Sequence, residues 1–169
     1  MESNKVRLRA MEPEDLDLLY EIENDIETWH VGAVNVPYSR YLLHDYIAHT
    51  TGDIYADRQL RLIIEDKKGN SVGLIDLVDF DPQHSRAEVG IILQTKHRRR
   101  GYATEAMKLI LNYARKVVHL HQVYAIVSVN NQPSLNLLKS LGFREYTTMK
   151  DWLREDNCFV DAQLLQYFL

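Results

Sequence analysis

Hydrophobic and polar positions along the chain switch repeatedly between two periods. Residues 5–9 alternate, with Val6 and Leu8 on one side and Arg7 and Arg9 on the other. That predicts a short strand with one buried face. From Pro13 the period lengthens. Leu16, Leu19 and Tyr20 recur at helical spacing behind Glu12, Glu14 and Asp15, acidic residues that suit a helix start. Residues 28–37 follow neither period and read as a loop. Ser39 is a good N-cap for a second helix, with Leu42, Leu43, Tyr46 and Ile47 on its apolar face and Thr50-Thr51-Gly52-Asp53 as its stop.

Strands come next. Residues 60–65 and 71–79 flank Lys67-Lys68-Gly69-Asn70, a hairpin turn. In the second of these, Leu74, Asp76 and Val78 share one side, and Ile75, Leu77 and Asp79 the other. After the turn Asp81-Pro82-Gln83-His84, residues 86–94 complete an antiparallel meander. Met107, Ile110, Leu111, Ala114, Val117 and Val118 then mark the buried face of a helix over residues 105–118. Residues 123–129 form a β-branched strand. Asn130-Asn131-Gln132-Pro133 opens a further helix, which Gly142 ends. Residues 143–149 and 158–168 are two closing strands, with residues 154–157 between them. No repeat or low-complexity linker divides the chain, so one domain over residues 1–169 is expected.

Composition narrows the function classes. The 169 residues carry a formal net charge of −4, which makes a general nucleic-acid binder a poor reading. No apolar run is long enough to span a bilayer, and the first residues lack the apolar core of a signal peptide. Cys158 is the only cysteine, so no internal disulfide forms and a reducing cytoplasm is the expected compartment. Cys158 itself is expected to be half-buried in the core. Residues 12–27 hold eight acidic side chains and no basic one. Two readings stand: a solvated helix face, or a lure for a cationic substrate. Tyr38, Tyr41, Tyr46 and Tyr55 crowd the same part of the chain with Trp29, and either wall a pocket or cover the edge of the core.

One stretch carries chemistry more sharply. The apolar run Val89-Gly90-Ile91-Ile92-Leu93 leads to Arg98-Arg99-Arg100-Gly101-Tyr102-Ala103-Thr104, and a helix follows. Strand, basic loop and helix start make an anion site, because first-turn N–H groups lack helical partners and carry partial positive charge. The loop lacks the Gly-Lys-Ser/Thr of a P-loop and the three glycines of the dinucleotide fingerprint.

What it matches is Arg-x-x-Gly-x-Ala, the acetyl-CoA signature of the GCN5-related N-acetyltransferases (GNAT). Asn131-x-x-Ser134 followed by Leu141-Gly142-Phe143 is similar to the family's second motif. Arg86-Ala87-Glu88-Val89-Gly90-Ile91-Ile92-Leu93 is similar to its central strand. The chain resembles this family along nearly its whole length. Within it, Gly73-Leu74-Ile75-Asp76-Leu77 and His84-Ser85-Arg86-Ala87-Glu88 resemble the bacterial spermidine N-acetyltransferases, beside the RimJ/RimL-type N-terminal enzymes. The resemblance implies an α/β (α+β) fold: a mixed central sheet of about seven strands, an antiparallel meander, a splayed parallel pair and about four helices.

It also implies direct acetyl transfer from acetyl-CoA to an amine, either a polyamine such as spermidine or a protein N-terminus. No metal, nucleic acid or membrane is implied, and a homo-oligomer suits the family. The pyrophosphate would lie on residues 98–104, and the pantetheine arm against the backbone of Ile91, Ile92 and Leu93. Asn131, Asn136 and Lys139 are further cofactor candidates, each with an alternative role as cap or surface residue. An alkylamine is mostly protonated at neutral pH and needs a base. Glu88 is the candidate, ahead of Asp76 and His84; the alternative is a structural carboxylate paired with Arg86 or a neighbouring strand. Glu21, Trp29, Tyr38, Asp76 and His84 are the candidate substrate contacts. Leu138 stands where many family members have a tyrosine to protonate the leaving thiolate, so no general acid is assigned, and a non-catalytic acyl-CoA-binding module stands as the alternative to an enzyme.

Overall fold

The alternation of Val6 and Leu8 forms β1 (Val6–Arg9) in a computed structural model, which describes residues 1–25, 36–155 and 157–169. A 3-10 turn at Pro13–Asp15 leads into α1 (Leu16–Glu23), which buries Leu18, Leu19 and Ile22. Ser39 caps α2 (Arg40–His49), its hydroxyl accepting from the Leu42 N–H at 3.1 Å. Asp53, expected as part of a stop, instead caps a further short helix, α3 (Ile54–Asp57), by accepting from the Tyr55 N–H at 2.9 Å.

The meander is β2 (Leu60–Asp66), β3 (Ser71–Asp81) and β4 (Arg86–Leu93). α4 (Tyr102–Lys116) begins three residues earlier than expected, immediately after Gly101 in the left-handed region at φ 80°. β5 (Gln122–Ser128) and α5 (Gln132–Ser140) follow. β6 (Arg144–Glu155) outruns its expected end by six residues, its pairing with β7 (Cys158–Phe168) carried past two register shifts. Among the described residues the expected four helices thus become five α-helices, and the sheet has seven strands in the order β1-β2-β3-β4-β5-β7-β6. Cys158 is exposed, not half-buried, because it sits beside the turn of the terminal hairpin, opposite Glu155.

Strand alternation divides the sheet into two chemistries. Ala87, Val89 and Leu93 of β4 and Val123 and Ala125 of β5 join one apolar cluster with α4 and α5. Ile63, Leu74 and partly buried Ile92 join a second with α1 and α2. Glu88, at even spacing from Ile92, lies on that second side. At Gly73 a Cβ would fall 2.2 Å from the Ile92 carbonyl oxygen, so β3 and the end of β4 approach as closely as backbones allow.

An ion-pair network pins β1 to its neighbours. Arg9 grips Asp15 through Nη1–Oδ2 at 2.6 Å and Nη2–Oδ1 at 2.8 Å, while its Nε reaches Glu65 at 2.7 Å. Burial pushes the Asp15 carboxyl up, but Arg9 and the Glu12 N–H outweigh it and hold it below its ordinary value. A depressed folded pKa contributes stability that is complete above the unfolded value of about 3.9 and is lost as pH falls below it. Asp15→Asn should therefore cost about 1.5–3 kcal/mol at pH 7 in urea unfolding. The gap to the wild type should close on acidification toward pH 3.

Candidate functional site

β4 and β5 are the sheet's parallel pair, and they stop pairing early. Their register runs Arg86↔Gln122, Ala87↔Val123 and Glu88↔Tyr124, and no further. β4 nevertheless continues to Leu93 and β5 to Ser128. Beyond Glu88 the strands part, and backbone groups that would otherwise pair face an opening. A cavity of about 560 Å³ fills it, bounded by residues 89–92 of β4 and residues 125–128 of β5. Gly90 lies in its wall, and a Cβ there would meet nothing within 4 Å.

Glu88 stands at the point of parting. Its Oε1 accepts from the Ile126 N–H across the gap at 3.3 Å. Burial raises its carboxyl pKa, the Ile126 N–H works against that, and nearby Asp79 adds to the rise. Of the structural alternative, the pairing with a neighbouring strand is present through Ile126 of β5, whereas the pairing with Arg86 is not: that guanidinium reaches Asp81 at 3.4 Å. Tyr124, beside Glu88 in the register, is itself raised by burial and by the Glu88 charge.

The far end of the cavity holds charge in a confined space. Asp76 takes two bonds from Arg61, Nε–Oδ1 at 3.0 Å and Nη2–Oδ2 at 2.9 Å. Arg61 Nη1 also reaches Glu23 Oε1 at 2.6 Å, and its guanidinium lies 5.8 Å from the Tyr46 ring centre. Tyr38 and Tyr46 line this end, whereas Tyr41 and Tyr55 are exposed. Tyr55 packs edge-on against Phe80. The aromatic crowd is thus half pocket wall and half surface.

The acidic first helix is not a bare lure. Asp15 is held by Arg9, Asp17 pairs with Arg40, and Glu23 pairs with Arg61. Glu21 accepts from Gln94 at 2.7 Å and lines a separate, smaller cavity of about 250 Å³. Of the substrate candidates, Tyr38 and Asp76 line the large cavity. His84 is exposed in the β3–β4 turn, outside that lining. Trp29 and Glu27 lie outside the described residues. Sequence reasoning counted Glu23 with Glu21 and Glu27 in the acidic stretch but passed over Arg61 and Gln59 as site residues. Its one available signal was the charge of Arg61 between Leu60 and Leu62 in a strand apolar from there to Ile64.

On the anion side, Arg99 and Gly101 take left-handed backbone at φ 60° and 80°, and the loop runs into the first turn of α4, Tyr102, Ala103 and Thr104. Arg98 Nε donates to the Leu93 carbonyl at 3.0 Å, tying the loop to the end of β4. Arg99 and Arg100 are exposed. Lys5, not foreseen as part of the loop, brings its Nζ to the Arg100 carbonyl at 3.4 Å. A Cβ on Gly101 would point at that Nζ, 2.8 Å away. The glycine is therefore required by its backbone angle, not by ligand approach alone. Ile91 and Ile92 line the large cavity, while Leu93 is buried and borders the small one. Asn131 also lines the large cavity, and its side chain caps α5 by accepting from the Ser134 N–H at 3.2 Å. Asn136 is exposed outside that lining, and Lys139 pairs with Glu145 at 2.9 Å. Leu138 is buried and borders the cavity. Among the described residues no group of three metal-binding side chains gathers, and no helix is long and apolar enough to cross a membrane.

A splayed parallel pair thus opens a cavity with Glu88 at its apex and Glu23, Arg61 and Asp76 at its far end, while the glycine-bearing basic turn leads from β4 into α4. The chain belongs to the GNAT acetyltransferase family, whose acetyltransferase (GNAT) domain matches residues 5–144. Over 145 residues it is 29% identical to spermidine N(1)-acetyltransferase of Escherichia coli (strain K12), spanning 83% of this chain and 74% of that protein. The crystal structure of spermidine N-acetyltransferase from Vibrio cholerae in complex with CoA and spermine superimposes with a TM-score of 0.86 at 25% identity, covering 98% of this chain and 96% of that one. A dodecameric structure of the same Vibrio cholerae enzyme gives 0.81 at 25% identity, covering 98% and 95%.

A raised folded-state carboxyl pKa favours folding most at low pH, and that contribution is lost as pH rises through the folded value. Glu88→Gln should therefore unfold at higher denaturant concentration than the wild type at pH 7. Near pH 3, where Glu88 is neutral in both states, the two midpoints should coincide.

Proposed function

We propose that the protein transfers an acetyl group from acetyl-CoA to a primary amine of a polyamine in one ternary complex, the whole chain acting as one catalytic unit. The observation that carries this reading is Glu88 at the parting of β4 and β5, facing a cavity whose far end holds Glu23 and Asp76. The polyamine enzymes among its relatives support the choice of acceptor. A cytoplasmic location and assembly into a homo-oligomer accord with them.

Acetyl-CoA is held by this chain's own groups. Arg99, Arg100 and the first-turn N–H groups of α4 take the pyrophosphate. The open edge of residues 89–93 takes the pantetheine arm as an added strand would be taken. A freed β4 N–H donates to the thioester carbonyl and steadies the oxyanion as the tetrahedral intermediate forms. The ammonium of the acceptor enters from the α1–α2 side and gives a proton to Glu88, directly or through water. The neutral amine then attacks the acetyl carbon. Collapse breaks the carbon–sulfur bond and expels the thiolate, while the nitrogen, cationic after attack, gives its second proton to solvent water. Leu138 offers no proton, and a thiol pKa of about 8.5 makes the thiolate a tolerable leaving group unaided.

Glu88→Gln should lower turnover at neutral pH by roughly 10²–10⁴-fold, the range expected of a general base. Because burial raises the Glu88 pKa, the acid limb of the wild-type kcat/KM profile should lie above the ordinary carboxylate range. The mutant deficit should narrow at high pH, where the amine is already neutral. A normal pH–rate profile in the mutant returns Glu88 to a structural role. On the cofactor side, Gly101→Val places a branched residue at φ 80° and should weaken acetyl-CoA binding at least tenfold by calorimetry, with an unchanged circular dichroism spectrum.

A further inference from the structure

Arg61 is a cation lodged inside a chamber built to receive cations. It extends from β2 between the sheet and α2, and its side chain is 23% exposed, against 17% for Asp76 and 25% for Glu23. Burial disfavours its charge, yet Asp76, Tyr46 and Glu23 together keep it firmly protonated. Among the described residues, the charged side chains lining the cavity are Glu23, Arg61, Asp76 and Glu88. Glu88 belongs to the reacting end. Among the described residues the remaining three leave the distal end with one net negative charge, and without Arg61 they would leave it with two.

We propose that Arg61 is a specificity-determining residue that sets how many positive charges the acceptor presents beyond its reacting amine. With one net negative charge, the distal end matches one further ammonium. A second further ammonium meets a chamber already neutralised, and brings its desolvation cost without a partner. This rests on the polyamine reading above and adds to it a rule for choosing among polyamines. The geometry favours charge setting over simple packing. Arg61 is clamped at both edges of its guanidinium and aligned with the Tyr46 face, so its charge is fixed in place while the cavity beside it stays open.

The test is the ratio of kcat/KM for spermidine, a triamine, to that for 1,4-diaminobutane, its diamine fragment. It is measured at low salt in the wild type and four variants. Arg61→Gln raises the distal charge to two and should raise the ratio roughly 3- to 30-fold, the range for one charge several ångströms away in a partly solvated site. Arg61→Lys keeps the charge and should keep the wild-type ratio, even where both activities drop through lost bidentate geometry. The double variant Arg61→Gln with Asp76→Asn restores one net negative charge and should also keep it. Glu23→Gln removes that charge and should lower the ratio by a similar factor. A packing role would lower both activities together and leave every ratio alone, and that result overturns the proposal. So does Arg61→Lys shifting the ratio as Arg61→Gln does. If Arg61→Gln does not fold, Glu23→Gln and the double variant still decide: an unchanged ratio in the first, or a changed one in the second, overturns it. Wild-type enzyme that acetylates neither amine overturns the acceptor reading itself, and this proposal with it, a pattern distinct from unresponsive ratios in an active enzyme.

Discussion

Hydrogen bonding between β4 and β5 ends at Glu88 and Tyr124, and the rest of the site depends on that termination. Backbone N–H and C=O groups in a protein interior require partners. A sheet that opens in its middle leaves such groups facing space, so the opening must be filled or bridged. The Glu88 carboxylate supplies one bridge by accepting from Ile126. The other groups are left for a ligand that can pair as a strand does. One break in a ladder thereby creates a slot, places a half-buried carboxylate at its apex and raises that carboxylate's proton affinity.

Alternation along the strands then sorts the chemistry. Ala87, Val89 and Leu93 face the apolar layer with α4 and α5, while Glu88, Gly90 and Ile92 face the layer with α1 and α2. The same division on β2 and β3 puts Leu62 and Ile75 into the first layer and Arg61 and Asp76 at the edge of the second. The helices do not supply the reacting groups. Their contribution is to close one end with Glu23 of α1 and Tyr46 of α2, beside Tyr38 from the segment before α2.

Most of this was legible where period and punctuation agree. The β2–β3 turn, the α5 cap at Asn131 and the left-handed Gly142 were each readable because a residue type and a backbone requirement coincide. Asp53 was misplaced because the same Asp serves equally to end one helix and to cap the next. Cys158 was misplaced because hydrophobic character says nothing about distance from a hairpin turn. The Arg61–Asp76 pair was within reach of the sequence. A turn at residues 67–70 pairs 66 with 71 and so sets Arg61 opposite Asp76, the register that β2 and β3 keep from Leu60 to Ile64, on the far side of a bulge between Ile64 and Glu65. Three of the eight carboxylates near the N-terminus, Asp15, Asp17 and Glu23, pair with Arg9, Arg40 and Arg61, which lie outside that stretch of sequence and so left it reading as unpaired.

Gly73 has an importance out of proportion to its chemistry. It touches neither half of the cleft, yet the end of β4 lies against it, with the Ile92 oxygen where a side chain would begin. The width of the slot is therefore governed from the closed side. Any residue larger than glycine there acts as a wedge, driving the end of β4 toward β5 and narrowing the space between them. Sheet separation in this fold behaves like a lever with its fulcrum at the last paired residues, Glu88 and Tyr124. Damage at a position remote from every ligand would then look, in binding measurements, like damage to the cofactor site.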